Sequence, residues 1–238
     1  LYIGCFSSQR SAPNGILDDL RIYNTALSAA QVQSIYAAQG MPSRGVSIPQ
    51  SPQPTLAWSF DGTTTPYIGS ATISVSGTIA YSTPGKYNNS LVIINDVSTT
   101  PGSNTISCSY TLAIDSGVTI AFWFKPYQIG PNTQTLFEYS GPGSGGASTI
   151  IFNMNGTVGT VAIWYKDAGY HTVITSALTV NIWYHLCITI GSGTVAVYLN
   201  GNSQGTQTYT PSGQTVTQFF IGAYGGNKFS PSTGEYDD

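Results

Sequence analysis

Short runs of β-branched and aromatic residues, separated by Gly, Asn and Ser about every ten residues, fill the sequence from Thr55 onward. Runs of this length form strands, and turn residues at such regular intervals are typical of antiparallel sandwiches and barrels. The pattern therefore predicts an all-β fold that is built from many short strands.

Two stretches, residues 118–125 and residues 184–190, alternate between an apolar face and a mixed face, as half-buried strands do. A third strand, residues 194–199, ends in Asn200-Gly201, a pair that accepts positive φ at both turn positions and so predicts a hairpin. We expect eight side chains of these strands to face inward: Ile120, Phe122, Phe124, Leu186, Ile188, Val195, Val197 and Leu199.

One helix is predicted, over residues 29–39. Ser28 can accept a hydrogen bond from the amide of Gln31 while the Gln31 side chain reaches back to Ser28, which is the capping-box arrangement. Leu27 can pack on Val32 and fix the direction in which the chain enters the helix. One helix among so many strands is an accessory to the sheets rather than the architecture.

Residues 41–54 contain four prolines, a composition that disfavours helix and favours an extended spacer. We therefore divide the chain into three parts. Residues 1–40 form a closing segment of strand plus helix, residues 41–54 form a Pro-rich linker, and residues 55–238 form the main sandwich.

An internal repeat relates residues 1–19 to residues 219–238, with a single gap. The aligned identities are Ile3-Gly4 with Ile221-Gly222, Pro13 with Pro231, Gly15 with Gly234, and Asp18-Asp19 with Asp237-Asp238. This register is that of one period cut from a tandem array, or of a chain whose opening segment completes its own truncated sandwich. On either interpretation we expect the main sandwich to lack its own closing strand. We expect residues 18–23 to fill that place and to pair near residues 56–60, in the same chain or from a neighbour.

Charged residues are scarce, since they make up 7% of the chain, against roughly 25% in an average soluble domain. Seven scattered cations cannot form the basic stripe that phosphate binding requires, so we expect no nucleic-acid partner. No apolar run approaches the roughly 18 residues that cross a bilayer, so we also expect no membrane insertion.

The three cysteines, Cys5, Cys108 and Cys187, have neither the spacing nor the neighbouring histidines of a zinc site. Cys108 and Cys187 lie in alternating apolar strands, which predicts buried free thiols. A single disulfide is the alternative, and an odd count leaves at least one thiol unpaired.

Residues 15–28, with the sequence GILDDLRIYNTALS, resemble the closing segment of laminin G-like domains in the concanavalin A-like lectin/glucanase superfamily. Further segments follow in the order of that family: LAWSFDG at 56–62, GKY at 85–87, TIAFWFKP at 119–126, WYHLCIT at 183–189 and VYLNG at 197–201. The resemblance covers nearly the whole chain outside the linker. It implies a two-sheet antiparallel jelly-roll sandwich of about a dozen strands, with the short helix as an accessory.

The superfamily includes glycoside hydrolases, whose chemistry needs two carboxylates about 5 Å apart for retention, or further apart for inversion. The chain has two glutamates, Glu138 and Glu235, and the internal repeat places Ile16 where Glu235 stands. His171 and His185 lack the spacing of a base and its nucleophile. We therefore expect the chain not to be an enzyme.

Calcium enters through the resemblance, because some members of the family hold this ion with Asp side chains and loop carbonyls. The candidate ligands are Asp61 and the pair Asp18-Asp19, or its repeat Asp237-Asp238. The alternative is that one Asp of the pair is buried and hydrogen-bonded to loop amides, which would orient the last strand. We expect no cofactor other than this possible calcium ion.

A sugar ligand would be bound by aromatic side chains together with hydroxyl and amide groups. Trp164 and Tyr165 precede a polar turn, and Tyr170 and His171 follow it, so these four are the candidate ligand-binding residues. We expect Trp164, Tyr165 and Tyr170 to be partly exposed around one concavity. The alternative is ordinary cross-strand packing of aromatic residues.

Two functional classes remain open. One is a recognition or adhesion module that binds a glycan or a protein. The other is a structural repeat of a fibre, cell-surface or virus capsid-associated assembly, whose partners are neighbouring repeats or other subunits. Both classes imply a location outside the cell, at a cell surface or at a virion surface.

Overall fold

The computed structural model describes residues 15–37, 52–76, 79–93, 105–129, 134–140, 149–155, 158–166 and 169–221. Within these ranges, one α-helix, α1 (Ala29–Ala37), and one short 3-10 helix (Ile114–Ser116) lie among fifteen strands. The first eight strands are β1 (Gly15–Tyr23), β2 (Leu56–Trp58), β3 (Thr72–Ser76), β4 (Ala80–Ser82), β5 (Ser90–Ile93), β6 (Thr105–Ala113), β7 (Val118–Pro126) and β8 (Gln134–Ser140). The other seven are β9 (Thr149–Met154), β10 (Val161–Lys166), β11 (Tyr170–Ile174), β12 (Tyr184–Gly191), β13 (Thr194–Leu199), β14 (Asn202–Thr208) and β15 (Thr215–Ile221).

Two antiparallel sheets face each other across one core. Sheet I has eight strands in the order β14-β13-β12-β7-β1-β5-β4, with β2 also paired to β1. Sheet II has seven strands in the order β11-β10-β9-β8-β15-β6-β3. This arrangement confirms the predicted two-sheet jelly roll with one accessory helix.

The core lies between the sheets, and all eight side chains that were predicted to face inward are buried. Phe122 of sheet I contacts Phe137 and Phe152 of sheet II, with ring centroids 6.0 and 5.0 Å apart. Trp58 packs edge-on against Phe219 at 5.3 Å. Period-2 alternation therefore identified which faces of β7, β12 and β13 enter the core.

Strand β1 lies in the middle of sheet I, and all nine of its residues are buried. It pairs with β7 along one side, and with β5 and β2 along the other. The pairs Leu20 with Trp58 and Ile22 with Leu56 confirm the predicted pairing of this segment, and they form within one chain. Residues 19 and 20 interrupt the register against β7, and Asp19 has a φ of 48° at this irregularity.

Helix α1 packs on the outer face of sheet I. The amide of Ser28 donates to Gln31 Oε1 at 2.8 Å and the amide of Gln31 donates to Ser28 Oγ at 3.3 Å, so the predicted capping box is confirmed. Leu27 and Val32 are buried in a second apolar cluster between the helix and the sheet. The helix thus covers outer-face residues that would otherwise be exposed: Ala121, Cys187, Ala196 and Tyr198.

The turn between β13 and β14 has positive φ at both Asn200 and Gly201, which confirms the predicted hairpin. Cys108 and Cys187 are buried free thiols, as predicted, and Cys5 lies outside the described residues. Burial raises the pKa of the Cys108 thiol to about 12, so this thiol is inert at neutral pH. Within the described residues, no helix is long and apolar enough to span a bilayer.

Residues 1–14, 38–51 and 222–238 lie outside the described part of the chain. They include most of the internal repeat and most of the Pro-rich linker. The division into residues 1–40, 41–54 and 55–238, and the absence of a closing strand from the last part, therefore stay predictions.

Truncation of Phe122 tests the aromatic contact between the sheets. Phe122→Ala removes a ring that is buried against Phe137 and Phe152, and we expect it to lower the free energy of unfolding by about 3 to 5 kcal/mol. Urea unfolding followed by intrinsic fluorescence measures the change. Ile174→Ala, at an exposed position, should change stability by less than about 0.5 kcal/mol, and equal effects of the two substitutions would contradict this packing.

Candidate functional site

The candidate ligand-binding residues lie on the β10–β11 hairpin at the edge of sheet II. In its register Tyr165 is opposite His171, and Lys166 is opposite Tyr170. Tyr165 is fully buried, with its ring 6.0 Å from His171 and 5.2 Å from Tyr209. The structure therefore brings Tyr165 and His171 together on the inner face.

The expectation that Tyr165 is partly exposed in the same concavity as Tyr170 is wrong. Successive side chains along a strand point to opposite faces, and residues 165 and 171 pair on the face that enters the core. Tyr170 lies on the other face and is 54% exposed. Trp164 takes the register position opposite Thr172, and its side chain lies outside the described part of the structure.

An exposed strip runs along the outer face of β11, and we call Tyr170, Thr172 and Ile174 the edge strip. Tyr170 and Ile174 are 54% and 59% exposed, and Thr172 lies between them at partial exposure. Ile174 was not among the candidate residues from the sequence, although its alternation with Val173 indicated that the two side chains point to opposite faces. The strip combines an aromatic face, a hydroxyl group and an aliphatic surface on one open edge.

The middle of the outer face of sheet II is closed. Glu138, Ile151 and Asn153 are all buried, although Glu138 and Ile151 alternate with core-facing neighbours. Thr135 Oγ1 donates to Asn153 Oδ1 at 2.8 Å. Among the described residues, the large apolar side chains exposed on this sheet therefore lie on its two edge strands, Tyr170 and Ile174 on β11 and Val75 on β3.

Two of the candidate metal ligands hold one loop. Asp18 Oδ2 accepts the amide of Tyr87 at 3.0 Å, and Asp61 Oδ1 accepts the amide of Asn89 at 3.0 Å. Burial raises the pKa of Asp18 to about 8, and the charges of Asp19 and Asp61 act in the same direction, against the two backbone hydrogen bonds that it accepts. The loop of residues 85–89 is thus fixed by two nearby carboxylates.

The third candidate, Asp19, has a different partner. Its Oδ1 accepts from Arg21 Nε at 2.7 Å, and both side chains are buried in sheet I. Burial also raises the pKa of Tyr23 to about 12, and Arg21 opposes that rise. Asp19 is therefore one half of a buried ion pair. Among the described residues, no group of three His, Cys, Asp or Glu side chains gathers as a metal site would require.

A cluster that sequence reasoning missed lies on the outer face of sheet I beside α1, and we call it the outer aromatic cluster. Trp123 lies opposite His185 in the β7–β12 register, with ring centroids 5.2 Å apart. Tyr36 of α1 packs 5.6 Å from Trp123, and Lys86 Nζ lies 4.0 Å from the Trp123 ring centroid. Tyr87 completes the cluster, edge-on to Trp123 at 6.3 Å.

Two ring nitrogens of this cluster are buried without a hydrogen-bond partner among the described residues, Nε1 of Trp123 and Nδ1 of His185. Burial lowers the pKa of His185 to about 3, and the positive charges of Arg21 and Lys86 lower it further. The imidazole is thus neutral at physiological pH. Trp123 and His185 alternate with the core-facing Phe122 and Leu186, which indicated that both lie on the outer face. No local pattern predicted that β7, β12, α1 and the loop of residues 85–89 would meet there.

Comparison with known proteins gives one family match. The sequence profile of a laminin G family, described as the concanavalin A-like lectin/glucanases superfamily, matches residues 95–238, which is more than half of the chain. No curated protein sequence matches the chain.

Several solved structures share the fold. Domain 4 of AbnA, a GH43 extracellular arabinanase from Geobacillus stearothermophilus, solved with arabinotriose, is 22% identical with a TM-score of 0.50, and the alignment covers 74% of this chain and 85% of that one. The binding domain of botulinum neurotoxin DC with SialylT is 13% identical with a TM-score of 0.49, covering 64% and 38%. Domains LG4-5 of the mouse laminin alpha1 chain are 8% identical with a TM-score of 0.41, covering 69% and 41%. The chain thus spans less than half the length of the last two.

Acid should destabilise the protein through His185. The unfolded imidazole takes up a proton near pH 6.5, whereas the buried one resists protonation down to about pH 3, so stability is lost as the pH falls through this window. The loss amounts to at most about 1.4 kcal/mol for each pH unit. Urea unfolding at several pH values measures this slope.

The substitution His185→Gln should reduce the slope between pH 6.5 and pH 4. Ile174→Ala, at an exposed position without a titratable side chain, is the control and should retain the slope of the unsubstituted protein. Asp18 also contributes to the pH dependence of stability, with the sign opposite to that of His185. Its contribution is common to the variants and the unsubstituted protein, so comparing their slopes removes it. Identical slopes in all three proteins would contradict the assignment.

Proposed function

The chain belongs to the laminin G-like domains of the concanavalin A-like lectin/glucanase superfamily, and from this premise we propose that it is a non-catalytic recognition module that binds a glycan at the edge strip of sheet II. The observation that carries the proposal is the exposure of Tyr170 and Ile174 on one face of the edge strand β11. Large apolar side chains that are exposed on the same face of a strand are candidates for contact with a partner.

The chemistry of the edge strip suits a sugar. A pyranose or furanose ring presents C–H groups on one face, and Tyr170 offers an aromatic surface for that face. Thr172 offers a hydroxyl group beside it. Position 164 belongs to the same face in the hairpin register, so we propose Trp164 as a second platform next to Thr172.

One relative supports the choice of ligand class. The arabinanase domain that shares this fold was solved with arabinotriose, so an oligosaccharide is bound by at least one domain of this architecture. We propose a glycan rather than a protein as the ligand because the edge strip is narrow, one strand wide. Such a strip matches a few sugar rings better than a standard protein interface of about 800 Å² on each partner.

The proposed role does not include catalysis. Hydrolysis of a glycosidic bond needs two carboxyl groups that flank the substrate. Among the described residues, the strands of sheet II carry one carboxylate, that of Glu138, which is 2% exposed. The described part of the edge strip therefore supports binding without bond cleavage. We propose that a protein in this role works outside the cell, at a cell surface or at a virion surface.

A second candidate function is assembly, as a structural repeat of a fibre, cell-surface or virus capsid-associated particle. It is favoured by one observation, the use of the N-terminal strand β1 as a central strand of sheet I. A sandwich that depends on such a segment for completion can also be linked through it to a neighbouring copy.

We also propose a calcium ion at Asp18 and Asp61. The fit rests on two carboxylates that approach the same loop although their charges repel, and on oxygen donors, which hard cations prefer. Main-chain carbonyls of the loop would have to supply the remaining ligands. Asp19 does not fit, because its carboxylate is used by Arg21. When bound, the ion would neutralise the buried charge and hold the loop.

Glycan binding should depend on Tyr170. A glycan array that includes arabino-oligosaccharides identifies a ligand, and titration calorimetry measures its affinity. We expect Tyr170→Ala to weaken binding about tenfold, since loss of one stacked ring removes about 1.4 kcal/mol.

Val158→Ala is the matched control, because Val158 is 55% exposed at another site, and it should leave the affinity unchanged. Equal affinities in the Tyr170→Ala variant and the unsubstituted protein would exclude the edge strip. No binding of any glycan on the array by the unsubstituted protein would reject the glycan proposal as a whole.

Calcium should stabilise the protein most at alkaline pH. Without the ion, Asp18 keeps its proton in the folded state up to about pH 8 but loses it near pH 3.8 when unfolded, so stability declines as the pH rises between these values. Calcium at pH 8 should reverse this loss and raise the Tm measured by calorimetry, compared with a sample in EDTA.

The Asp18→Asn variant should be more stable than the unsubstituted protein in EDTA at pH 8, and its Tm should not respond to calcium. Magnesium at the same ionic strength controls for screening and should give a smaller shift. An equal calcium response in the variant, or none in the unsubstituted protein, would refute the site.

A further inference from the structure

Sheet I depends on β1 for its continuity. Among the described strands, β14, β13, β12 and β7 form one half of the sheet, and β2, β5 and β4 lie beyond β1 on the other side. No pairing between these two groups is made except through β1. The space between β7 and β5 is therefore a strand-wide slot, and β1 fills it.

The segment after β1 is fixed to the same half of the sheet. Thr119 Oγ1 accepts the amide of Leu27 at 3.0 Å and donates to the carbonyl of Thr25 at 2.8 Å. A Cβ atom at Gly191 would come within 2.7 Å of Ala26 Cβ, so this glycine admits the chain between strand and helix. Together β1 and α1 form one docked unit, residues 15–37, which we call the closing unit.

The closing unit contacts the sandwich through side chains and hydrogen bonds, and it is joined to β2 by residues 38–55 alone. Thr55 is fixed beside β1, because its amide donates to the carbonyl of Ile22 at 2.8 Å. The 17 residues before it, 38–54, can span up to about 55 Å when extended, which is longer than a domain of this size is wide. The connecting segment is therefore long enough for the slot of one chain to be filled by the closing unit of another.

We propose that the closing unit is exchanged between copies of this chain, so that the slot of one copy is filled by residues 15–37 of a second copy. The partner is an identical chain, and every contact in the exchanged form is one that already exists in the single chain. The exchanged pair therefore has the same contacts as two single chains. The equilibrium between the two forms depends on the protein concentration and on the connecting segment.

The sequence repeat is the independent observation. Residues 1–3 align with residues 219–221, and the latter form the end of β15, which is already placed in sheet II. Asp18-Asp19 of β1 align with Asp237-Asp238. In this alignment β1 corresponds to a segment that follows β15 along the chain. We expect this order of segments if the closing unit of one copy completes the sandwich of another.

A cross-linking experiment on the full chain tests the exchange. One sample carries Ile22→Cys and the other carries Leu56→Cys, two positions that are Cα partners in the β1–β2 pairing, and Cys5 is replaced by Ser in both. The two are mixed, unfolded in urea, refolded together at increasing concentrations and only then oxidised. We expect a disulfide-linked heterodimer that rises with concentration to at least about tenfold above the control.

The control pairs Ile22→Cys with Val197→Cys, since β13 does not pair with β1. The double variant Ile22→Cys/Leu56→Cys, oxidised at high dilution, should give an internally bridged monomer. Heterodimer at the control level at every concentration, while that internal bridge forms, would overturn the proposal.

The unsubstituted chain gives a second readout that needs no disulfide. Refolded at high concentration and then diluted, it should show a dimer by size-exclusion chromatography with light scattering, because withdrawal of a central strand is slow. A purely monomeric elution after concentrated refolding would also overturn the exchange. Neither result depends on glycan binding, since the edge strip lies in sheet II.

Discussion

The insertion of β1 between β7 and the pair β5 and β2 is the contact on which the rest of the structure depends. It joins the two halves of sheet I and places Leu17, Leu20 and Ile22 in the core. It also orients the chain so that α1 reaches the outer face of the same sheet. An interior strand carries hydrogen bonds on both sides, so its removal would leave two sheet edges unpaired rather than one.

Polar groups on β1 make this insertion specific. Asp18 holds the loop of residues 85–89 through the amide of Tyr87, and Asp19 pairs with Arg21 inside the sheet. A misplaced strand would separate the buried Asp18 carboxyl group from the amide of Tyr87, and a buried polar group that loses its hydrogen-bond partner is costly. Alternating apolar residues alone would tolerate a shift of two residues along the slot. Asp18 excludes that shift because its partner, the amide of Tyr87, lies in another segment, whereas Arg21 lies on β1 and would move together with Asp19.

The two sheets differ in what covers their outer faces, and this difference separates the candidate sites. On sheet I, α1 and the loop of residues 85–89 enclose the outer aromatic cluster, where Trp123 and His185 are buried. On sheet II the middle is closed around Glu138, and β11 remains open at the edge. The aromatic residues of sheet I therefore stabilise the docking of the helix, whereas Tyr170 on sheet II is exposed.

The sequence by itself determined the sandwich, the inward-facing residues of β7 and β12, the capping box at Ser28 and the hairpin at Asn200, because these follow from alternation and turn chemistry within a few residues. It could not show that Tyr165 is buried while Tyr170 is exposed, or that Trp123 meets His185 under α1. Those outcomes were decided by the tertiary structure. Which face of a strand is covered depends on elements distant in the sequence, and no local pattern encodes their meeting.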